Sequence, residues 1–283
     1  MNKENETKKI NAKRVTLKEL DQLMPLGITN NDGSYAKSFE VKRWRMKEER
    51  EIGEQKELHK NASIGQYVGI VLSTMCTSIG NINFESLKKA EKNVHISQMF
   101  VGDVFYIYTW LRRNSIGNEL RLSVKCPNCS NKFKMDANLD TIEVDTCEKL
   151  EDACWNYKLI DPFEIRGRLV TELLMGPPRW LSLENLKGTN TANTGAVKAG
   201  LILGSIQGIV DWKDKNGKPE QIALTVNELD EMCKKDIEKI THEMDENAIG
   251  PNMSVEGDCP ICRSDYHMPI DWSYDNFFDI SGR

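Results

Sequence analysis

Two short cysteine motifs of the same form could together bind a metal ion. Cys126–Cys129 and Cys259–Cys262 both have the sequence Cys-Pro-x-Cys. A tight Cys-x-x-Cys turn between two strands is a zinc knuckle, and two facing knuckles offer zinc a tetrahedral set of four thiolates. We therefore predict one structural zinc ion with the ligands Cys126, Cys129, Cys259 and Cys262.

The four cysteine ligands limit the reactions that a metal ion at this site could catalyse. Four thiolates leave no open position for a water molecule, which argues against zinc-dependent hydrolysis. The same ligands also suit iron in a rubredoxin-like site, so iron stays open as an alternative. His267 follows the second pair closely, and we interpret it as a surface histidine rather than a ligand.

Other sequence motifs of catalysis are not found. The four histidines are scattered, and there is no His-Glu-x-x-His motif and no glycine-rich nucleotide loop. We predict no catalytic residues and no residues that bind an organic cofactor. The expected protein is not an enzyme.

The separation of the two pairs determines how the site must form. Roughly 130 residues lie between them, so distant parts of the chain must meet before the site is complete. Closing a loop of this length opposes about 4 kcal/mol of chain entropy. A structural zinc site can supply more than that. The predicted zinc ion therefore joins the base of an inserted subdomain to the main body.

Composition limits the class of protein. The 283-residue chain has a net charge of -5 at pH 7, whereas nucleic-acid-binding domains are usually basic. Residues 1–14 lack the apolar segment of a secretory signal, and the longest apolar run, Leu201–Val210, is too short to span a bilayer. We expect a soluble protein in a reducing cytoplasm, where such cysteine pairs favour metal over disulfides.

Apolar periodicity predicts the elements around the cysteines. Helices are predicted near Thr16 and over Phe39–Leu58, Ser63–Ile79, Phe84–Ala90, Ser97–Ser115 and Thr225–Met244. Arg112 and Arg113 suit the C-terminal dipole of the fifth helix. Strands are predicted on both sides of each knuckle and over Trp155–Ile160 and Glu164–Met175. The predicted fold class is α+β and mainly helical.

These elements suggest a division of the chain into four parts. We expect a flexible N-terminal segment with a short helix (1–35), a helical domain (36–118), a split zinc ribbon with the C-terminal tail (119–140 plus 252–283) and an inserted α+β subdomain (141–251).

The sequence that leads into the first cysteine pair resembles a known family. Residues 101–140, VGDVFYIYTWLRRNSIGNELRLSVKCPNCSNKFKMDANLD, resemble the tail-assembly and baseplate proteins of contractile-tailed bacteriophages, a T-even group that includes baseplate hub assembly factors. The matching residues are Gly102, Asp103, Leu111, Arg112, Gly117, Cys126 and Cys129. The chain departs from the family pattern after Asp103, where Val replaces Arg, and at Leu139-Asp140, where two residues are reversed.

The resemblance implies a non-enzymatic structural or assembly component of the tail baseplate. Such a protein would contact other phage tail and baseplate proteins, in the host cytoplasm during assembly or in the virion tail, and would form oligomers within that assembly. We predict three partner surfaces: the Trp180 region, the apolar seam of Val226–Met244 and the aromatic tail, Trp272–Ile280.

Two other functions stay open. A zinc-ribbon protein that binds nucleic acid would need basic residues near the knuckles. Lys125, Lys132, Lys134 and Arg263 favour this function, whereas Asp258 and Asp265 oppose it. With the acidic net charge, nucleic acid is not an expected partner. A rubredoxin-like redox protein is the second alternative and would carry iron.

Overall fold

The computed structural model describes residues 10–29, 35–60, 62–184, 194–222, 224–273 and 277–278. The predictions for residues 1–9 and for Tyr274 and Ile280 of the aromatic tail fall outside this part of the chain.

The helices lie mainly in the first half of the chain. They are α1 (Leu17–Leu20), α2 (Met46–Leu58), α3 (Ile64–Met75), α4 (Lys89–Gln98), α5 (Val101–Ser115), α6 (Leu181–Glu184), α7 (Thr194–Ser205) and α8 (Lys234–Glu246). Short 3-10 helices occur at Phe84–Ser86, Leu139–Thr141, Leu150–Ala153 and Val226–Leu229.

Strands are distributed along the whole chain. They are β1 (Lys13–Thr16), β2 (Leu23–Thr29), β3 (Tyr35–Val41), β4 (Cys76–Ile79), β5 (Ile82–Asn83), β6 (Glu119–Lys125), β7 (Lys132–Asn138), β8 (Glu143–Thr146), β9 (Trp155–Ile165), β10 (Arg168–Met175), β11 (Ile206–Lys213), β12 (Pro219–Glu220), β13 (Gly250–Pro251), β14 (Ser254–Asp258) and β15 (Asp265–Pro269).

The prediction of a mainly helical protein is wrong. The structure is 38% helix and 35% strand, with five small antiparallel sheets among the described residues. Two of the apolar runs predicted as helix include strand, at Phe39–Val41 and Cys76–Ile79. Strands of four to seven residues are too short to separate from a helix by periodicity alone. The fold is an even mixture of α and β structure.

The sheets are small and antiparallel. Their strand orders are β1-β8-β13, β2-β3-β4-β5, β12-β11-β10-β9, β6-β7 and β14-β15. The last two sheets are the hairpins that carry the cysteine pairs. The predicted strands β9 and β10 are confirmed, with Arg168 opposite Ile165 at the hairpin turn. Residues 10–29, predicted as a flexible segment with one helix, also contain β1 and β2.

The first hydrophobic core surrounds α5. This helix is buried on most of its circumference, and Val104, Ile107 and Leu111 are each at most 1% exposed. Tyr108 stacks on Phe277 from the C-terminal segment at a ring distance of 5.2 Å. The end of the chain therefore completes a core that begins near Leu17.

The second hydrophobic core lies between the β9–β12 sheet and the helices α7 and α8. Trp155, Tyr157, Ile209 and Ile240 belong to it. Asp236 at the start of α8 is fully buried and accepts hydrogen bonds from the Tyr157 hydroxyl at 2.7 Å and the Ile160 N–H at 2.8 Å. These bonds hold α8 against the edge strand of the sheet.

The predicted single helix over Thr225–Met244 is two elements. Thr225 does form a capping box with Glu228, but it caps only a 3-10 turn that ends at Leu229. A separate helix then begins after Cys233. Both elements bury apolar residues in the same core, so their apolar residues have the spacing in the sequence that one continuous amphipathic helix would have.

The predicted partner surface around Trp180 is also corrected. The Trp180 side chain is fully buried, and its indole N–H donates to the Gly65 carbonyl at 3.3 Å. Trp272 of the aromatic tail packs beside it, with ring centroids 6.2 Å apart. Trp180 belongs to the first core, and Trp272 is partly buried against it.

Candidate metal centre

The structure brings the four predicted cysteines together. Their Sγ atoms all lie within 4.8 Å of one another. Cys126 and Cys262 are separated by 3.6 Å between sulfurs, and Cys129 and Cys259 by 3.7 Å. Each of these contacts joins one hairpin to the other, so the cluster is shared equally by β6-β7 and β14-β15.

The first knuckle, residues 126–131, is closed by two backbone hydrogen bonds. The Cys126 N–H donates to Asn131 at 2.8 Å, and the Ser130 N–H donates to Cys126 at 3.0 Å. Ser130 has a φ of 59°. This left-handed residue turns the chain back after the second cysteine.

The second knuckle, residues 259–264, repeats this geometry. The Cys259 N–H donates to Ser264 at 3.0 Å, and the Arg263 N–H donates to Cys259 at 2.9 Å. Arg263 has a φ of 56°. The two knuckles therefore present their sulfurs in the same way, as two matched halves of one site.

Contacts between the hairpins fix the knuckles in place. Phe133 and Tyr266 pack with ring centroids 5.6 Å apart. The side-chain amide of Asn128 donates to the Ser264 hydroxyl at 2.7 Å. Sequence reasoning missed Asn128 and Ser264, because neither is a ligand type and their proximity depends on the packing of the hairpins.

The donor set fits a tetrahedral metal ion. With Zn–S bonds of about 2.3 Å, neighbouring sulfurs of a tetrahedron are about 3.8 Å apart. The closest sulfur pairs, at 3.6 and 3.7 Å, match that edge. A disulfide would need about 2.05 Å, and all eight cysteines are free thiols.

The surroundings of the sulfurs affect their ionisation. The Ser264 hydroxyl and then its N–H lower the pKa of Cys262 to about 5. The Asn131 N–H favours the thiolate of Cys129, but desolvation and contacts with the neighbouring thiols outweigh it and raise that pKa to about 12. Four adjacent negative charges repel one another, and a cation among them removes that repulsion.

The remaining sequence candidates lie elsewhere. His267 is exposed, and its Nδ1 lies 2.9 Å from Glu256 on the neighbouring strand rather than in the cluster. Cys76 is fully buried in the first core, and burial raises its pKa to about 12. It is the core thiol that its position in the sequence predicted.

Two residues of the family resemblance, Gly102 and Asp103, lie at the start of α5. The Asp103 carboxylate is fully buried and accepts hydrogen bonds from the Leu26 and Gly27 N–H groups, both at 2.9 Å. Gly102 lies against Ile249, where a Cβ atom would stand 1.9 Å from the carbonyl oxygen. Together they hold the start of α5 against β2 and β13.

Arg112 connects α5 to the ribbon and the C-terminal segment. Its Nε donates to the Phe277 carbonyl at 2.7 Å and its Nη2 to the Glu119 carbonyl at 2.8 Å, and Nη1 donates to Gly117. Gly117 has a φ of 129°. The arginine thus does more than complement a helix dipole, because it joins α5 to two other segments, residues 117–119 and the segment that contains Phe277.

One of three comparisons with known proteins found a match, and it covers most of the chain. A family model described as "T4 bacteriophage base plate protein" matches residues 24–278. Neither the curated proteins nor the solved structures contain a significant match. Within the described residues, no helix combines the length and apolar character needed to cross a membrane.

Proposed function

Because this chain belongs to the family of T4 bacteriophage base plate proteins, we propose that it is a non-enzymatic structural or assembly component of a contractile tail baseplate. It acts through contacts with other baseplate proteins. The match over residues 24–278 carries this proposal, since it covers both cores and both knuckles. The buried positions of Gly102, Asp103 and Arg112 support a structural role for the family's shared residues.

The second part of the proposal is one structural zinc ion bound by Cys126, Cys129, Cys259 and Cys262. The sulfur spacing and the matched knuckles support it. Iron would bind the same four ligands, so the zinc proposal and the rubredoxin-like alternative differ in which metal the site holds. A closed four-thiolate site favours a structural task over hydrolysis, and membership in a baseplate family favours zinc over a redox-active iron.

The zinc ion stabilises the return of the chain to the first core. Cys129 and Cys259 are 130 positions apart. Just beyond the second knuckle, Ile270 and Phe277 are buried in that core. A metal bond between the hairpins offsets roughly 4 kcal/mol of loop-closure entropy. This proposal keeps the predicted division in which 141–251 is inserted between the two halves of the ribbon.

A nucleic-acid-binding ribbon has less support. Acidic groups accompany the basic ones on both hairpins. Arg121 of β6 pairs with Asp136 of β7 at 3.1 Å, and Asp258 lies opposite Asp265 beside the second knuckle. Such a mixed surface does not attract a polyanion.

The test of the proposed function is genetic complementation of a phage that lacks this protein. Wild-type protein supplied in the host should restore complete baseplates. These are recognised by their sedimentation as one assembled species and by intact particles in electron micrographs. The protein should be found in baseplate fractions, and mass spectrometry of purified tails would show whether it stays in the virion. Normal baseplates in the absence of the protein would contradict the proposal.

A further inference from the structure

A cavity of about 570 Å³ opens between the end of α2 and the start of α3. Its rim includes Leu58, which is 73% exposed, and its walls include Ile70 and Ala62. Asn93 of α4 and Glu184 at the end of α6 also line it. Glu57, His59, Lys60 and Gln66 complete the polar part of the lining. The cavity therefore combines apolar walls with a polar rim and with two polar groups, Asn93 and Glu184, that come from separate helices.

Glu184 is held in the cavity by several packed elements. Trp180, directly before α6, is fully buried, and its backbone N–H donates to the Met99 carbonyl at 2.8 Å. The Ser63 hydroxyl donates to the Glu184 carbonyl at 3.2 Å. Gly69 leaves room for the carboxylate, because a Cβ atom there would lie 3.3 Å from Oε1.

The carboxylate of Glu184 has a hydrogen-bond donor but no cation. Ser97 donates to Oε2 at 2.5 Å. Among the described residues no Lys, Arg or His forms an ion pair with Glu184, and the nearby Lys60 on the rim pairs with Glu57 at 3.0 Å. Desolvation raises the pKa of Glu184, with the Ser97 hydrogen bond opposing this shift. A half-buried carboxylate without a counter-ion favours a cationic ligand.

Asn93 provides a second acceptor at the same place. Its side-chain carbonyl oxygen is buried and has no hydrogen-bond partner in the described part of the chain. Buried acceptors without a donor are uncommon, and each costs free energy until a donor arrives. The two acceptors match a group with several N–H donors on a long apolar stem, which is the chemistry of arginine and lysine.

We propose that this cavity receives a basic side chain, arginine or lysine, from another baseplate protein, with Glu184 as its counter-ion. The identity of the partner class rests on the proposed function. The aliphatic stem lies along Leu58 and Ile70, and the cationic head reaches Glu184 and Asn93. The cavity thus gives the protein a specific acceptor for one charged residue of its neighbour.

The experiment uses small probes with the full-length protein. N-acetyl-arginine amide and N-acetyl-lysine amide are titrated while amide NMR shifts of Gly69, Asn93 and Ser97 are followed, and the neutral N-acetyl-citrulline amide is the matched control. At least one cationic probe should bind saturably, about tenfold or more tightly than citrulline. Absence of saturable binding, or equal binding of citrulline, overturns the proposal.

Variants locate the binding. Glu184→Gln should weaken binding of the cationic probe about tenfold and Asn93→Ala should weaken it severalfold, whereas Glu54→Gln on the exposed side of α2 should leave it unchanged. Thermal unfolding confirms that each variant is folded. Equal binding by wild type and Glu184→Gln contradicts the proposal. If the cationic probes do not bind but the protein still complements the mutant phage, only this inference is wrong. If baseplates assemble normally without the protein, the proposed function is wrong.

Discussion

Gly102 in the first turn of α5 is in direct backbone contact with Ile249. A Cβ atom on Gly102 would stand 1.9 Å from the Ile249 carbonyl oxygen, and one on Gly250 would stand 2.5 Å from the Gly102 Cα. No L side chain fits between these two segments. This crossing joins the start of the central helix to β13, the short strand that precedes the second cysteine hairpin.

Gly102→Ala should therefore destabilise the protein by about 3 kcal/mol or more, because two packed backbones must separate. Gly53→Ala is the matched control, since it also lies in a helix but a Cβ atom there meets nothing within 4 Å. The control should stabilise the protein by about 0.5–1 kcal/mol. Denaturant unfolding of both variants measures these changes, and equal effects would contradict this account of the contact.

The buried Asp103 predicts a pH dependence of stability. Burial raises its pKa to about 6, against the hydrogen bonds from Leu26 and Gly27 that lower it. When folding raises the pKa of a carboxyl group, the group stabilises the folded state at pH values below its pKa in the unfolded chain. This stabilisation is lost as the pH rises through the pKa of the group in the folded state. The free energy of unfolding of the wild type, relative to Asp103→Asn, should fall by about 2 kcal/mol between pH 4 and pH 7.

Equilibrium unfolding of the wild type and of Asp103→Asn at several pH values measures this difference. Any loss of a bound metal in acid affects both proteins and cancels in the comparison. A difference that stays constant with pH would show that Asp103 has an ordinary pKa.

Arg112→Lys should separate the C-terminal segment from α5. A lysine ammonium cannot span the carbonyls of Gly117, Glu119 and Phe277 that the guanidinium binds, so we expect a loss of about 2–4 kcal/mol. Arg50→Lys, at an exposed pair with Glu54, should change stability by less than about 0.5 kcal/mol. Limited proteolysis should cut the C-terminus of Arg112→Lys first; unchanged resistance would refute the role of Arg112.

The site was more predictable from sequence than the fold. Cys126 and Cys259 begin turns whose geometry is local, so spacing alone identified them and the strands beside them. The contacts of Arg112 with Phe277 and of Asp103 with Leu26 and Gly27 join residues that are distant in the chain, and they depend on tertiary packing, which no periodicity encodes. The same limit produced the single predicted helix over Thr225–Met244, where two short elements share one core.

Removal of the metal should loosen one specific part of the molecule. A strong chelator should release the pairing of the two hairpins and lower the free energy of unfolding by roughly 4 kcal/mol, the entropy of the loop that the metal closes. Hydrogen exchange should rise in β14 and β15 more than in β9 and β10, which form their own sheet. A uniform rise over both sheets would contradict a local structural role.

The central claim is that four distant cysteines hold one zinc ion. Elemental analysis with X-ray absorption of the purified protein tests it directly, beside a Cys126→Ser, Cys259→Ser double variant and a Cys154→Ser control outside the cluster. Wild type and control should carry one zinc per chain with four sulfurs at about 2.3 Å, and the double variant should carry none. A wild type without stoichiometric metal, one that carries iron instead, or a double variant that keeps its zinc, would contradict the claim.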